Sequence, residues 1–223
     1  MIEFTLTQTI FSSNILTYIS LIGGYAILGG GIKYIDDAFD ERTFRIPRAI
    51  FLAPLIGILW AFIMSMSQES ATILAAVVLG VFLKGKIDNL AHKLGIVTIL
   101  LVVFLSGVIN ILWLPLVILT IAGLVDEIFN DYVDKKIRIN RFARLFFEYR
   151  MVMKLAVLAL VLWGSFGAVY FFAFVSFDIA YAAVMHYSMY LKHTRKFYYH
   201  QQQDGFLERA LKHEDRRNVK SIE

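Results

Sequence analysis

The stretch Pro47-Arg48-Ala49-Ile50-Phe51-Leu52-Ala53-Pro54-Leu55-Ile56-Gly57-Ile58-Leu59-Trp60-Ala61-Phe62-Ile63-Met64 opens an apolar run that reaches Leu83 with one interruption near Ser65–Ser70. A helix needs about 20 apolar residues to cross the hydrocarbon of a bilayer. This run is too long for one such helix and suits a tight hairpin of two. The same reading applies to Leu94–Phe129, interrupted near Asn110–Pro115, and to Met151–Tyr190, interrupted near Gly164–Gly167. With a first span over Asn14–Ile35 the chain has seven. Ser70–Leu83 and Pro115–Phe129 are short, so they extend into flanking polar residues or meet a thinned bilayer.

Composition agrees. Hydrophobic residues make up 58% of the chain and charged residues 18%, against roughly 25% charged in soluble domains. The mean hydropathy is +0.64. The expectation is an all-α, polytopic helical bundle in the cell (plasma) membrane, residues 1–191, followed by a charged tail, 192–223. There is no Cys, which excludes disulfides, thiolate metal sites and cysteine nucleophiles. Met1–Asn14 carries Glu3 and no Lys or Arg, unlike the basic start of a signal peptide, so the first span is expected in the mature protein.

The basic residues set the orientation. Lys33–Arg48 holds four Lys or Arg, Lys84–Lys93 three, Asn130–Lys154 seven, and the tail from Lys192 eight, which is all 22 in the chain. Seven spans with the N-terminus outside put every one of them on the cytoplasmic side, as the positive-inside rule requires.

The inner turns also share an acidic pattern. Ile35-Asp36-Asp37-Ala38-Phe39-Asp40, Ile87-Asp88-Asn89-Leu90-Ala91-His92 and Phe129-Asn130-Asp131-Tyr132-Val133-Asp134 each place two Asp/Asn, two other residues, then Asp or His. The pattern reads as a helix–motif–helix unit used three times, each motif falling where a span reaches the cytoplasm. Such repeats occur in transporters and would gather the motifs around one cytoplasmic site. Residues three or four apart share a helix face, so Asp36, Asp37 and Asp40 present carboxylates together, as do Asp131 and Asp134, with Asp126 and Asn130 one turn earlier. Mg²⁺ takes oxygen ligands and is commonly held by one or two carboxylates plus substrate phosphates. The candidate metal set is therefore Asp36, Asp37, Asp40, Asp88, Asn130, Asp131 and Asp134. Arg42, Arg45, Lys86, Lys93, Lys135, Lys136 and Arg138 are candidates for phosphate charge, although topology and lipid headgroups already account for the same cations.

Asn130-Asp131-x-x-Asp134, with Asp36-Asp37-x-x-Asp40 on another helix, resembles the paired aspartate-rich motifs of UbiA-type intramembrane prenyltransferases. The resemblance covers about 25 residues. It implies that the two motifs bind Mg²⁺ and the diphosphate of an isoprenoid donor at the cytoplasmic mouth of a helical bundle. The family's motif carries another Asp where this chain has Arg138, and its members usually have nine helices. Tyr34-Ile35-Asp36-Asp37 is also similar to the Asp-Asp pair of polyprenyl-phosphate sugar-1-phosphate transferases, whose later motifs are absent here.

Asp178, in Val175-Ser176-Phe177-Asp178-Ile179, lies inside the last span, and an intramembrane acid is a functional candidate by default. It is read either as a proton or cation carrier or as a partner of Ser176 or Tyr181. Glu69 reads as solvated on an outer turn and His186 as a hydrogen-bonded helix residue. Gly23-Gly24 and Gly29-Gly30-Gly31 are not a phosphate-cradling loop, because no strand precedes them and no Gly-Lys-Ser/Thr follows; they read as helix packing, ahead of local unwinding. Trp60, Trp113 and Trp163 read as an interfacial belt. The tail is expected to continue the last helix briefly, then to lie on the surface or be disordered. No zinc-ligand spacing, nucleophile elbow or nucleic-acid pattern is present. The leading expectation is a Mg²⁺-dependent enzyme acting on an isoprenoid or polyprenyl (di)phosphate. The alternatives are a cation or small-solute transporter or channel using Asp178, and a membrane scaffold.

Overall fold

The structure, a computed structural model, describes residues 2–85, 87, 89–107, 110–135, 140, 142, 146 and 149–220, with side chains described over 15–133 and 149–194 and at 140, 142 and 146 within those limits. The described residues form seven helices and no strand: α1 (Ile2–Phe39), α2 (Ile46–Met66), α3 (Gln68–Leu83), α4 (Leu90–Ser106), α5 (Trp113–Lys135), α6 (Met151–Leu162) and α7 (Ala168–Lys220).

The breaks fall where the apolar runs are interrupted, and local chemistry makes them. Ser67 leaves helical geometry between α2 and α3, and its hydroxyl accepts from the Ser70 N–H at 3.0 Å, capping α3. Gly107, at φ 63°, closes α4, and Gly164, at φ 79°, turns the chain after α6. Both need the left-handed conformation that glycine adopts without strain.

Four helices are long and apolar enough to cross a membrane: Ile15–Phe39, Ile46–Met66, Trp113–Val133 and Ala168–Thr194. The other three are shorter, with α6 at 12 residues, or about 18 Å of rise against a hydrocarbon core of about 30 Å. The outward faces are apolar, as Leu16, Phe51, Phe62, Leu100, Phe104 and Leu162 show. The expectation that the last helix runs only briefly into the tail is corrected, because α7 continues unbroken to Lys220. No Pro interrupts it, and Gly205 alone is not enough to end a helix this long.

Side-by-side packing closes a ring in the order α1, α2, α3, α5, α6, α7 and back to α1, with α4 laid against α2. Three of these pairings are parallel. Along α1 and α7, Ile22 O accepts from Ser176 and Asp36 meets Tyr181. Along α3 and α5, Thr72 accepts from Leu112 N and Lys84 meets Asp131. Gly57 of α2 sits against Gly95 and Thr98 of α4.

The glycines of α1 are packing surfaces within a continuous helix. A Cβ at Gly29 would lie 2.0 Å from the Phe177 carbonyl oxygen, so α1 and α7 touch backbone to side-chain-free backbone there. The core fills with Tyr25, Leu28, Trp60, Ile63, Ile73, Leu74, Leu119 and Val157. One tryptophan expectation is thereby corrected. Trp113 and Trp163 are 74% and 87% exposed, but Trp60 is 2% exposed and meets Phe177 edge to face at 6.1 Å. It faces the ring interior because the close contact between α1 and α2 turns that side of α2 inward.

Candidate functional site

A cavity of about 340 Å³ lies inside the ring near its basic end. Its walls are mainly apolar, from Ile56 and Trp60 of α2, Val77 and Val78 of α3, Ile99 of α4 and Phe177 of α7. Its collar is charged and comes from five places in the chain: Lys33 and Asp36 of α1 with Asp40 just past its end, His92 of α4, Glu127 of α5, Arg150 before α6, and Tyr181 of α7.

Asp36 is the centre of the collar. The Tyr181 hydroxyl donates to its Oδ2 at 3.2 Å, and His92 Nε2 lies 2.8 Å from its Oδ1. Asn89 sets the form of that histidine. It is the N-cap of α4, and its Oδ1 accepts from the His92 backbone N–H at 2.8 Å. Its Nδ2, which can only donate, therefore faces His92 Nδ1 at 2.7 Å. Nδ1 accepts in that arrangement, which leaves Nε2 to donate toward Asp36. The chain Asn89–His92–Asp36–Tyr181 ties the second motif to the first and both to α7, and it fixes the orientation of the Asp36 carboxyl group.

Two cations flank this carboxylate. Lys33 pairs with Asp37 at 3.0 Å, and Arg150 with Glu127 at 2.8 Å. Both lie over the Tyr181 ring, at 5.2 and 5.0 Å from its centroid, within cation–π range. Arg150 has φ 48° and ψ 51°, a left-handed conformation that costs a non-glycine residue about 1–2 kcal/mol. Burial works against its charge, but Tyr181, Glu127, Asp178 and Asp36 more than offset that and hold the guanidinium above its ordinary pKa.

A second, smaller space of about 30 Å³ adjoins the cavity and shares Val77, Val81, Glu127, Arg150 and Phe177 with it. Asp126 and Asp178 lie on it. Asp126 accepts from the backbone N–H groups of Val152 and Met153 at 3.0 and 2.8 Å. It caps α6 from α5, because Arg150 at the helix's own N-cap position offers no side-chain bond. Asp178 pairs with Lys154 of α6 at 2.7 Å. Ser176 bonds Ile22 O and Ala173 O instead, and Tyr181 bonds Asp36, so neither expected partner of Asp178 is its partner.

The expected site residues are placed as follows. Asp36 and Asp40 face the cavity one turn apart, whereas Asp37 is buried against Lys33. Asp131 pairs with Lys84 at 2.9 Å, and Asn130 is half-buried on α5. Arg42, Arg45 and Lys93 are exposed and off the cavity wall. Lys86, Asp88, Lys136 and Arg138 lie outside the described residues, as do the side chains of Asp134 and Lys135. Among the described residues no three of His, Asp and Glu are grouped so as to hold a metal ion by themselves. The three motifs are also unequal. The first ends α1 and the third lies within α5, but the second begins α4, because Gly85, at φ 74°, ends α3 before it. His186 is exposed, and Glu69 lies in the first turn of α3.

Lys33, Glu127 and Arg150 were not singled out by the sequence pattern, and Tyr181 was named only as a possible partner of Asp178. Glu127 carried a signal, as half of an Asp-Glu pair inside an apolar run; Arg150 was one basic residue among seven in its loop. No family model, no curated protein and no solved structure matches this chain.

Proposed function

We propose that this chain is a multi-pass protein of the cell membrane, N-terminus outside, that binds an isoprenoid or polyprenyl (di)phosphate and acts on it with Mg²⁺. The observation that carries the reading is the shape of the cavity: apolar within, charged at the collar, and of ligand size, since small-molecule sites run from about 300 to 1,000 Å³. A hydrocarbon chain matches the walls and a (di)phosphate matches the collar.

Asp36 and Asp40 fit Mg²⁺ in the form in which a metal is shared with substrate phosphate, where one or two carboxylates suffice. Bound there, the metal would supply charge stabilisation to a departing (di)phosphate. His92 and Tyr181 hold Asp36 oriented. Lys33 and Arg150 receive phosphate oxygens, exchanging their carboxylate partners for them. The apolar wall excludes water from the reacting end. Asp178 stands off this cavity, neutralised by Lys154, which favours the enzyme reading over ion carriage.

The test is Mg²⁺-dependent binding of farnesyl diphosphate to purified protein, comparing wild type with Asp36→Asn, Asp40→Asn and Asp131→Asn. The first two lose binding by about tenfold or more, the scale of one charge-assisted contact, and the third keeps it. Equal binding by all four proteins would overturn the reading.

A further inference from the structure

A shallow groove of about 460 Å³ runs along the outside of α1 and α2, formed by Tyr34, Pro47, Arg48, Phe51, Leu52 and Leu55. It is separate from the cavity and shares no residue with it. Its walls are apolar, and Phe51 and Leu55 stand exposed on it. Tyr34 is held in place by Phe44, stacked on it at 4.2 Å, which is stacked in turn near Tyr187 of α7. One wall is therefore fixed by three packed rings.

Arg48 lies at one end of this groove. Lys33, Lys84, Arg150, Lys154 and Lys192 each meet a carboxylate. Arg48 and its neighbour Arg45 are exposed and have no such partner among the described residues. Leu55 follows Arg48 by two turns, about 10 Å along the helix, so the groove runs from a bare guanidinium down a hydrocarbon face. An arginine fork matches a phosphate, and an acyl chain matches the walls below it.

We infer that this groove binds an anionic phospholipid of the surrounding bilayer, its phosphate on Arg48 and Arg45 and one chain lying between Tyr34 and Leu55. The inference needs the membrane placement proposed above but not the reaction, and its site is independent of Asp36.

Native mass spectrometry of the full chain, released from nanodiscs of equal phosphatidylglycerol and phosphatidylcholine, tests it. Wild type retains phosphatidylglycerol over phosphatidylcholine by about fivefold or more. Arg48→Ala removes the charge and Leu55→Trp fills the groove, and each abolishes that preference. Arg48→Lys keeps part of it, and Arg42→Ala, off the groove, keeps all of it. If wild type retains both lipids equally, the bound lipid is an unselected neighbour and the inference fails. If Arg48→Ala loses the lipid but Leu55→Trp does not, the headgroup alone is held and the groove has no part, which also overturns it.

Discussion

Arg150 combines a strained backbone with a charge held by Glu127 and an aromatic-face contact on Tyr181. Strain of this kind persists where the surroundings over-determine it, and it concentrates at functional sites. Arg150→Gly removes the strain and the ion pair together. The backbone gain is about 1 kcal/mol, and loss of one partner from a mostly buried pair costs more, so the net is a destabilisation of about 1–3 kcal/mol. Thermal unfolding in detergent reads this, and adding Glu127→Gln restores most of it; a single variant as stable as wild type shows that the pair contributes nothing. Tyr181→Phe tests the collar from the other side. It deletes one of two donors to Asp36 and is expected to weaken Mg²⁺-dependent farnesyl diphosphate binding by about threefold to tenfold, the scale of one typical hydrogen bond, while leaving Lys33 and Arg150 over the ring. The sequence made Asp36 and Asp40 legible, because a spacing of four on one helix needs no knowledge of the fold. It also grouped Asp37 with them, and there it misled: Lys33, four residues back, competes for that carboxylate. Tyr181 was read only as a possible partner of Asp178, since its true neighbour, Asp36, lies on a helix 145 residues away in sequence.

At the scale of elements, the helices and their breaks were legible because length, apolar content and turn residues are local properties. Ser67, Gly107 and Gly164 sit at the interruptions that divide the long runs into hairpins. The boundary of α4 was not legible, because Gly85 moves the second motif from the end of one helix to the start of the next. Helix contacts give a sharper test than boundaries. Gly29→Ala drives a Cβ into the Phe177 carbonyl and is expected to destabilise by about 1–3 kcal/mol or more, since backbone cannot move aside as a side chain can. Gly23→Ala, with nothing within 4 Å, is expected to stabilise by about 0.5–1 kcal/mol through its helix preference. The two unfolding midpoints should move in opposite directions; movement in the same direction removes the close contact between α1 and α7.

For the whole molecule, the packing order was the missing quantity, because tertiary neighbours leave no periodic trace in a sequence. The proposed sidedness is directly measurable, and the absence of cysteine makes the measurement clean. Single substitutions Arg42→Cys and Gln68→Cys lie at opposite ends of α2, both on exposed positions. In intact cells a membrane-impermeant maleimide is expected to label Gln68→Cys and to reach Arg42→Cys only after the membrane is opened; the reverse pattern inverts the topology. The ring also has a seam that local reasoning does not show. The first helix finds its closest neighbour in the last one, at Gly29 against Phe177. In the membrane placement proposed above, α1 therefore waits in the lipid during synthesis, its glycine face bare, until nearly the whole chain has been made. Chains stopped after α6 carry every acidic motif yet lack the strand of contacts that shuts the ring, so quality-control proteases should meet an unfinished barrel of helices in which α1 is the first to be pulled away.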